Sequence, residues 1–228
     1  MYAIIGAMDQ EIEQILKMMS GVQIYHFNDH PFYQGLINDK IVILVKSGIG
    51  KVASAMTTTI LLTNFTVEAL INIGTCGGVE NKVDVEDLII GQELVYGDVD
   101  LQAFKYPYGQ MAGQPLSFKS NPALIARIKD ISKHANLNPK LGNLMSSDAF
   151  IVDKLVMQER IRMLDMPILG VDMESAAIAQ IATSFKKPFV VLRFVSDIIG
   201  MEQQIKSFDK LVSESSLKIA QILKELIK

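Results

Sequence analysis

The sequence predicts an α/β protein: a single domain over residues 1–228, with a mixed central β-sheet flanked by α-helices. Three observations carry that prediction. Phe189 to Asp197 reads Phe-Val-Val-Leu-Arg-Phe-Val-Ser-Asp, an almost unbroken apolar run of the kind found in strands buried on both faces of a parallel sheet. Ser175 to Gln180 is an Ala-rich helix start, with Ile178 and Ile181 at core-facing spacing and small residues that let it lie close against a sheet. Helical patterns alternate with buried strands along the chain, and no Pro/Gly/Ser tract divides it.

Taken in order, Tyr2 to Ile5 is a short buried strand and Gly6-Ala7-Met8 turns the chain. Asp9 is expected to cap a helix whose inner face is Ile12, Ile15, Leu16 and Met19, and Glu11 falls in its first turn, beside the strand end. Phe32–Ile37 and Ile41–Lys46 read as paired strands around an Asn38-Asp39 turn. Ser47-Gly48-Ile49-Gly50-Lys51 then leads into a helix through about Thr63. Ala69 to Ile73 is another buried strand, followed by a second Gly-rich turn, Gly74-Thr75-Cys76-Gly77-Gly78. Two such turns suggest two walls of one pocket, since Gly-rich strand-to-helix turns bring backbone close to a ligand; neither has Walker spacing.

Residues 98–120 are irregular but aromatic, with Phe104, Tyr106, Tyr108 and Phe118, and irregular segments of that length are usually functional. Asn121 caps a helix to about His134, a strand ends at Met145-Ser146-Ser147, and a helix lies near Lys154 to Met163. The terminal helix begins at about Phe208 and turns Leu211, Ile219, Ile222 and Leu223 inward.

Composition excludes several classes. The formal net charge of −3 argues against nucleic acid as a main partner. No apolar run approaches the roughly 18 residues of a membrane helix, so no membrane partner is expected, and no signal peptide is evident. Cys76 is the only cysteine, which rules out an intrachain disulfide and favours a cytoplasmic setting. His26, His30 and His134 show no ligand spacing, so no metal and no cofactor are expected.

The chemistry concentrates in acids. Glu174 sits where a strand or loop turns into the Ala-rich helix, and Asp197 ends the Phe189 strand, at the position where open α/β sheets bind ligands. Arg193, inside that same strand, needs a partner if buried. Taken singly, Glu174 and Glu11 each also suit the first turn of a helix, where the macrodipole favours negative charge; Glu174 and Asp197 together, from neighbouring elements, point to a site.

The segments IIGAMDQE, SGIGK, NIGTCGG, SSDAFI, VDMESAAIA and RFVSD, in order over nearly the whole chain, resemble those of the 5′-methylthioadenosine/S-adenosylhomocysteine nucleosidases of the nucleoside phosphorylase superfamily. The resemblance implies a nucleoside phosphorylase-like fold and hydrolysis of the N-glycosidic bond of these thionucleosides to adenine and the thioribose. It implies that Glu11 activates water, that Asp197, with Ser196 beside it, protonates adenine N7, and that Glu174 holds the ribose diol with Met173. Phe150 would stack on adenine and Ile151 would offer its backbone to the base edge. Phe208 would lie near the ribose and alkylthio group, Met8, Ile49 and Thr75 would line the water pocket, and Arg193 would bind or position acids. It also implies a homodimer in which the loop 98–118, through Leu101 and Phe104, closes the alkylthio end of the neighbouring site. The chain departs from the family pattern at Asp172 (Glu is usual), Thr75-Cys76 (Ser-Ala), Gly97 (His) and Ala112 (Pro), leaving the three acids intact.

Two other functions share these features. A phosphate-dependent purine nucleoside phosphorylase would use the same fold, but phosphate sites favour bidentate Arg and no arginine precedes Arg127. A catalytically inactive nucleoside-binding sensor would not need all three acids.

Overall fold

The computed structural model describes all residues except Asn28, Asn136 and 202–207, and side chains except those of 208–210. Ten strands form one mixed sheet: β1 (Tyr2–Gly6), β2 (Ser20–Phe27), β3 (His30–Ile37), β4 (Lys40–Lys46), β5 (Ala69–Gly78), β6 (Leu88–Tyr96), β7 (Ser117–Lys119), β8 (Lys140–Ser146), β9 (Ile168–Asp172) and β10 (Phe189–Ile198). Six helices connect them: α1 (Asp9–Met18), α2 (Lys51–Asn64), α3 (Pro122–His134), α4 (Lys154–Leu164), α5 (Ser175–Ser184) and α6 (Phe208–Leu226).

The sheet runs β10-β6-β8-β9-β5-β1-β4-β3-β2, and β10 also pairs with β5. The strands β5, β10, β6, β8 and β9 therefore close a ring, from which β1, β4, β3 and β2 extend in that order. The β1, β4 and β5 strands are mutually parallel neighbours, as are β5 and β10, so their carboxyl ends emerge together.

Alternate strand residues enter opposite layers. Ala3 and Ile5 of β1 pack with Ile43 and Val45 of β4 beneath α2 and α5, whose Leu61, Ala176, Ala179 and Ala182 share that core. Ile4, Val42 and Leu44 face the other way, against Ile12 and Ile15 of α1, Ile128 of α3, and Ile219 and Leu223 of α6. Burying one such side chain contributes about 1.5–3 kcal/mol, and strands apolar on both sides gain it twice over. This is why β10, all ten residues buried, reads as a continuous apolar run.

Several local expectations need correction. The first helical residue is Asp9 rather than the cap: Met8 is the extended N-cap residue, and the Asp9 carboxylate pairs with Lys46 at 2.9 Å. With Asp9 inside the helix, the Met8 carbonyl accepts from Glu11 N–H at 3.2 Å, and the Glu11 side chain reaches back to the Ala7 and Met8 N–H groups. The Gly-rich stretch after Ile73 is not a turn, because β5 continues to Gly78, pairing with β9 and β10. Gly77 and Gly78 serve close packing: a Cβ on either would meet Ile199 or Val83 within 2.8 Å. The segment 98–120 contains a 3-10 turn at Gln102–Phe104 and the short strand β7. The hairpin at Asn38-Asp39 and the Asn121 cap form as expected, with Asn38 and Asp39 both at positive φ and the Asn121 side chain accepting from the Ala123 and Leu124 N–H groups.

Candidate active site

One cavity of about 250 Å³ opens where the strand ends converge. The turn after β1 contributes Ala7 and Met8, α1 contributes Glu11, and the loop before α2 contributes Ile49. Thr75 to Gly77 come from β5, Ala149 to Ile151 follow β8, Val171 to Glu174 join β9 to α5, and Ser196, Asp197 and Ile199 close the ring side. Ten of the residues singled out in the sequence meet here: Met8, Glu11, Ile49, Thr75, Phe150, Ile151, Met173, Glu174, Ser196 and Asp197.

Glu11 is buried and held by three backbone donors. Its Oε2 accepts from Ala7 N–H at 2.6 Å and Met8 N–H at 3.2 Å, and its Oε1 accepts from Thr75 N–H at 3.1 Å. Gly74 makes that approach possible, since a Cβ there would lie 2.6 Å from Oε1. Burial pushes the Glu11 carboxyl up from its usual value, against the opposing pull of Arg193 and these N–H groups.

Glu174 is the N-cap residue of α5 by position, yet its side chain makes no cap hydrogen bond. Instead its Oε1 accepts from Gly50 N–H at 2.9 Å, across the cavity. Gly48 and Gly50 both have positive φ, which lets the loop turn its backbone toward that carboxylate. Burial and then the neighbouring Asp172 charge push Glu174 up to about 7.

Asp197 follows a register shift in β10: Val195 pairs with Cys76 and Asp197 with Gly77, leaving Ser196 as the extra residue. Bulges re-aim side chains beside active sites. The Ser196 hydroxyl donates to Asp197 Oδ1 at 2.6 Å.

Arg193 does not line the cavity. It is fully buried behind it, with Nε on Asp172 Oδ2 at 2.9 Å and a terminal nitrogen on Asn72 Oδ1 at 2.7 Å. Leu101 is half-buried against the core and Phe104 is 74% exposed, and neither lines this chain's cavity. The Phe208 side chain falls outside the described residues. Phe150 is 56% exposed at the cavity's edge. Sequence reading passed over Asp172, Cys76, Val171 and Ile199 as lining residues. A deviation at Asp172 was visible, but its place in the cavity depends on contacts from three other elements.

Lys51 Nζ bridges Asp98 Oδ1 at 2.7 Å and Asp148 Oδ2 at 3.6 Å, tying the Gly-rich loop to two neighbouring loops. Among the described residues no group of His, Cys, Asp and Glu could hold a metal ion, and no helix is long and apolar enough to cross a membrane.

With buried acids gathered at one cavity of a mixed sheet, residues 1–228 match the phosphorylase superfamily. A curated relative from Baumannia cicadellinicola, named 5′-methylthioadenosine/S-adenosylhomocysteine nucleosidase, is 39% identical over 226 residues, covering 98% of each chain. The enzyme of that name from Oceanobacillus iheyensis is 35% identical over 99% of this chain and 97% of its own. Among solved structures, the Streptococcus pneumoniae nucleosidase with the transition-state inhibitor MT-ImmA superposes with a TM-score of 0.92 at 36% identity, covering 100% of this chain and 98% of that one. The Colwellia psychrerythraea nucleosidase in complex with adenine gives 0.93 at 31% identity, covering 99% and 93%. The chain belongs to the 5′-methylthioadenosine/S-adenosylhomocysteine nucleosidases, a family of hydrolases within that superfamily.

Proposed function

We propose that this protein hydrolyses the N-glycosidic bond of 5′-methylthioadenosine and S-adenosylhomocysteine, with Glu11, Asp197 and Glu174 as its catalytic acids. The observation that carries the reading is that all three, from three different elements, face one cavity. Breaking the C1′–N9 bond sends its electron pair to adenine and leaves positive charge on the ribose. Asp197 gives a proton to N7, which neutralises the leaving base. Water adds to C1′ and gives its proton to Glu11, whose burial-raised pKa makes it a stronger base than an exposed carboxylate. Glu174 accepts from the 2′- and 3′-hydroxyls, Met173 packs beside them, and negative charge there favours the cationic sugar.

Ser196 supports Asp197, and Phe150 and Ile151 form the base wall. Met8, Ile49 and Thr75 border the water, and Phe208 would cover the alkylthio side. Arg193 positions acids through Asp172. No cofactor enters this chemistry. The protein is read as a cytoplasmic homodimer of single-domain chains, with the loop 98–118 bringing Leu101 and Phe104 to the partner's cavity. The 74% exposure of Phe104 supports this, since a large aromatic left in water suits a covered surface.

The electrostatics disfavour a phosphorylase. Arg193 is engaged by Asp172 and Asn72, Lys46 by Asp9, and Lys51 by Asp98 and Asp148. The bases that could greet phosphate are thus already paired, and Glu11 would repel it. The deciding experiment is incubation with methylthioadenosine with and without phosphate. Adenine and free thioribose should appear at equal rates in both; a ribose 1-phosphate product would establish the phosphorylase instead. For the assembly, Phe104→Asp should weaken the dimer in sedimentation and raise KM more for methylthioadenosine than for adenosine. A parent protein that is fully active as a monomer would refute the shared site.

A further inference from the structure

Asp172 occupies the point where β9 hands over to α5, and it holds the backbone from which Glu174 projects. Its Oδ1 accepts from the N–H groups of Glu174 and Ser175, each at 3.3 Å, and from the Ser146 hydroxyl at 2.5 Å. Ser146 also accepts from Ala176 N–H at 2.9 Å. The opening donors of α5 are therefore satisfied by β9 and β8, not by the residue at the cap position. Its other oxygen is anchored by Arg193, which is anchored in turn by Asn72 of β5. Asp172 is 5% exposed, so none of these donors is shared with bulk water.

An acid at a helix start has a competing local use: its own side chain folds back onto the free N–H groups of the first turn. The N–H that Glu174 could take, Ala176 N–H, is already on Ser146, whose hydroxyl is held by Asp172, and the Glu174 carboxylate extends to Gly50 N–H instead. We propose that Asp172 is a positioning residue for Glu174: it fixes the backbone at Glu174 and Ser175 and orients Ser146 onto Ala176 N–H, so the Glu174 carboxylate stays extended to Gly50. This rests on the reading of Glu174 as the acceptor of the ribose diol.

The test compares Asp172→Asn, Asp172→Ser and Asp172→Ala, with Glu174→Gln alongside, by kcat/KM for methylthioadenosine and its 2′-deoxy analogue. Asn makes the same side-chain-to-backbone turn as Asp, Ser makes it more weakly, and Ala does not make it. The ribo-to-deoxy ratio should stay within about twofold of the parent in Asn, fall at least threefold in Ser, and collapse toward one in Ala and in Glu174→Gln. A merely structural role would lower both substrates by one common factor and leave the ratio alone. Should Asp172→Ala not fold, the Ser-against-Asn comparison decides, and equal ratios there overturn the proposal. A ratio unmoved in Glu174→Gln overturns the underlying reading of Glu174; one that collapses there but holds in Asp172→Ala overturns only the role of Asp172.

Discussion

The two strand-to-helix junctions of the cavity carry the same local sequence signal and use it in opposite ways. After β1, the Glu11 side chain turns back onto the chain that precedes it and collects three N–H donors, two of them from its own turn. After β9, Glu174 takes none of its own helix's donors and holds a single one, Gly50 N–H, from across the cavity. An acid in the first helical turn is thus not one structural device. What separates the two is where the free N–H groups lie: the turn before α1 offers those of Ala7 and Met8 to Glu11, whereas at α5 the N–H groups of Ser175 and Ala176 are already on Asp172 and Ser146. The first arrangement fixes a carboxylate at one place, as activating a water requires. The second leaves one more available, as gripping a diol requires.

The sharpest test of that division is turnover. Glu11→Gln keeps the shape of the side chain but cannot take a proton from water, so kcat should fall by about 10²–10⁴ with ligand binding retained. Asp197→Asn should fall within the same range by removing the donated proton. A near-parental kcat in either variant, measured at saturating methylthioadenosine, would withdraw that role.

The next test is pH, where stability and activity should move in opposite directions. Glu174 is neutral more readily in the folded protein than in the unfolded chain, because its pKa rises from 4.5 to about 7 on burial. The folded state therefore binds the extra proton, and stability from this group is fully present below pH 4.5 and is lost as pH rises through about 7. That rise sets a ceiling of about 3 kcal/mol on the effect. Glu174→Gln, which is neutral throughout, should lose less stability than the parent between pH 5 and pH 8 in urea unfolding. In the proposed mechanism Glu11 must ionise to act as base, so activity should rise with pH, at higher pH than an exposed carboxylate would give because burial raises its pKa. Parallel unfolding curves for parent and Glu174→Gln at both pH values would contradict the assignment.

The divergence between the two junctions also marks what sequence could and could not convey. The strands β1, β4 and β10, the hairpin turn and the Asn121 cap were legible because each is set by local pattern: apolar runs, a two-residue turn at positive φ, a capping amide. All three acids were legible as residues. What escaped was whatever depends on a distant neighbour. The edge strand β2, exposed along seven of its eight residues, has no buried face to print a pattern. The continuation of β5 looked like a turn because Gly77 and Gly78 are there for the close approach of Ile199 and Val83, not for positive φ. Arg193 was seen to need a partner, but Asp172 and Asn72 come from β9 and β5. The bulge at Ser196 that sets Asp197 into the cavity likewise exists only in the pairing of β10 with β5.

Two glycines separate the junctions on a smaller scale. A Cβ on Gly74 would lie 2.6 Å from Glu11 Oε1, on a carboxylate held in place by three N–H donors. Gly74→Ala should therefore cost about 1–3 kcal/mol, the usual range for overpacking, and should lower kcat by displacing the base. A melting curve and a kcat measurement on one preparation check both. An unchanged kcat would mean that Glu11 tolerates a shift that its three N–H donors oppose.

Gly50→Ala is the counterpart on the other side, and its effect should be smaller and of a different kind. Gly50 has φ +92°, so a side chain there is strained by about 1–2 kcal/mol whatever the space around it. The nearest atom to a new Cβ is Asp148 Oδ1 at 3.1 Å, on a carboxylate that is 49% exposed and able to give way. The loop should relax rather than collide, moving the one N–H that holds Glu174. In the proposed mechanism the step at C1′ depends on Glu11 and Asp197 rather than on the Gly50 loop, so kcat for the ribonucleoside should change little. The loss should appear as a higher KM and a ribo-to-deoxy ratio lowered a few-fold, because a carboxylate with a displaced anchor grips the diol less well. If Gly50→Ala instead lowered kcat as Gly74→Ala does and left the ratio untouched, the two junctions would be acting on the same step, and the separation of a fixed base from an extended diol acceptor would not hold.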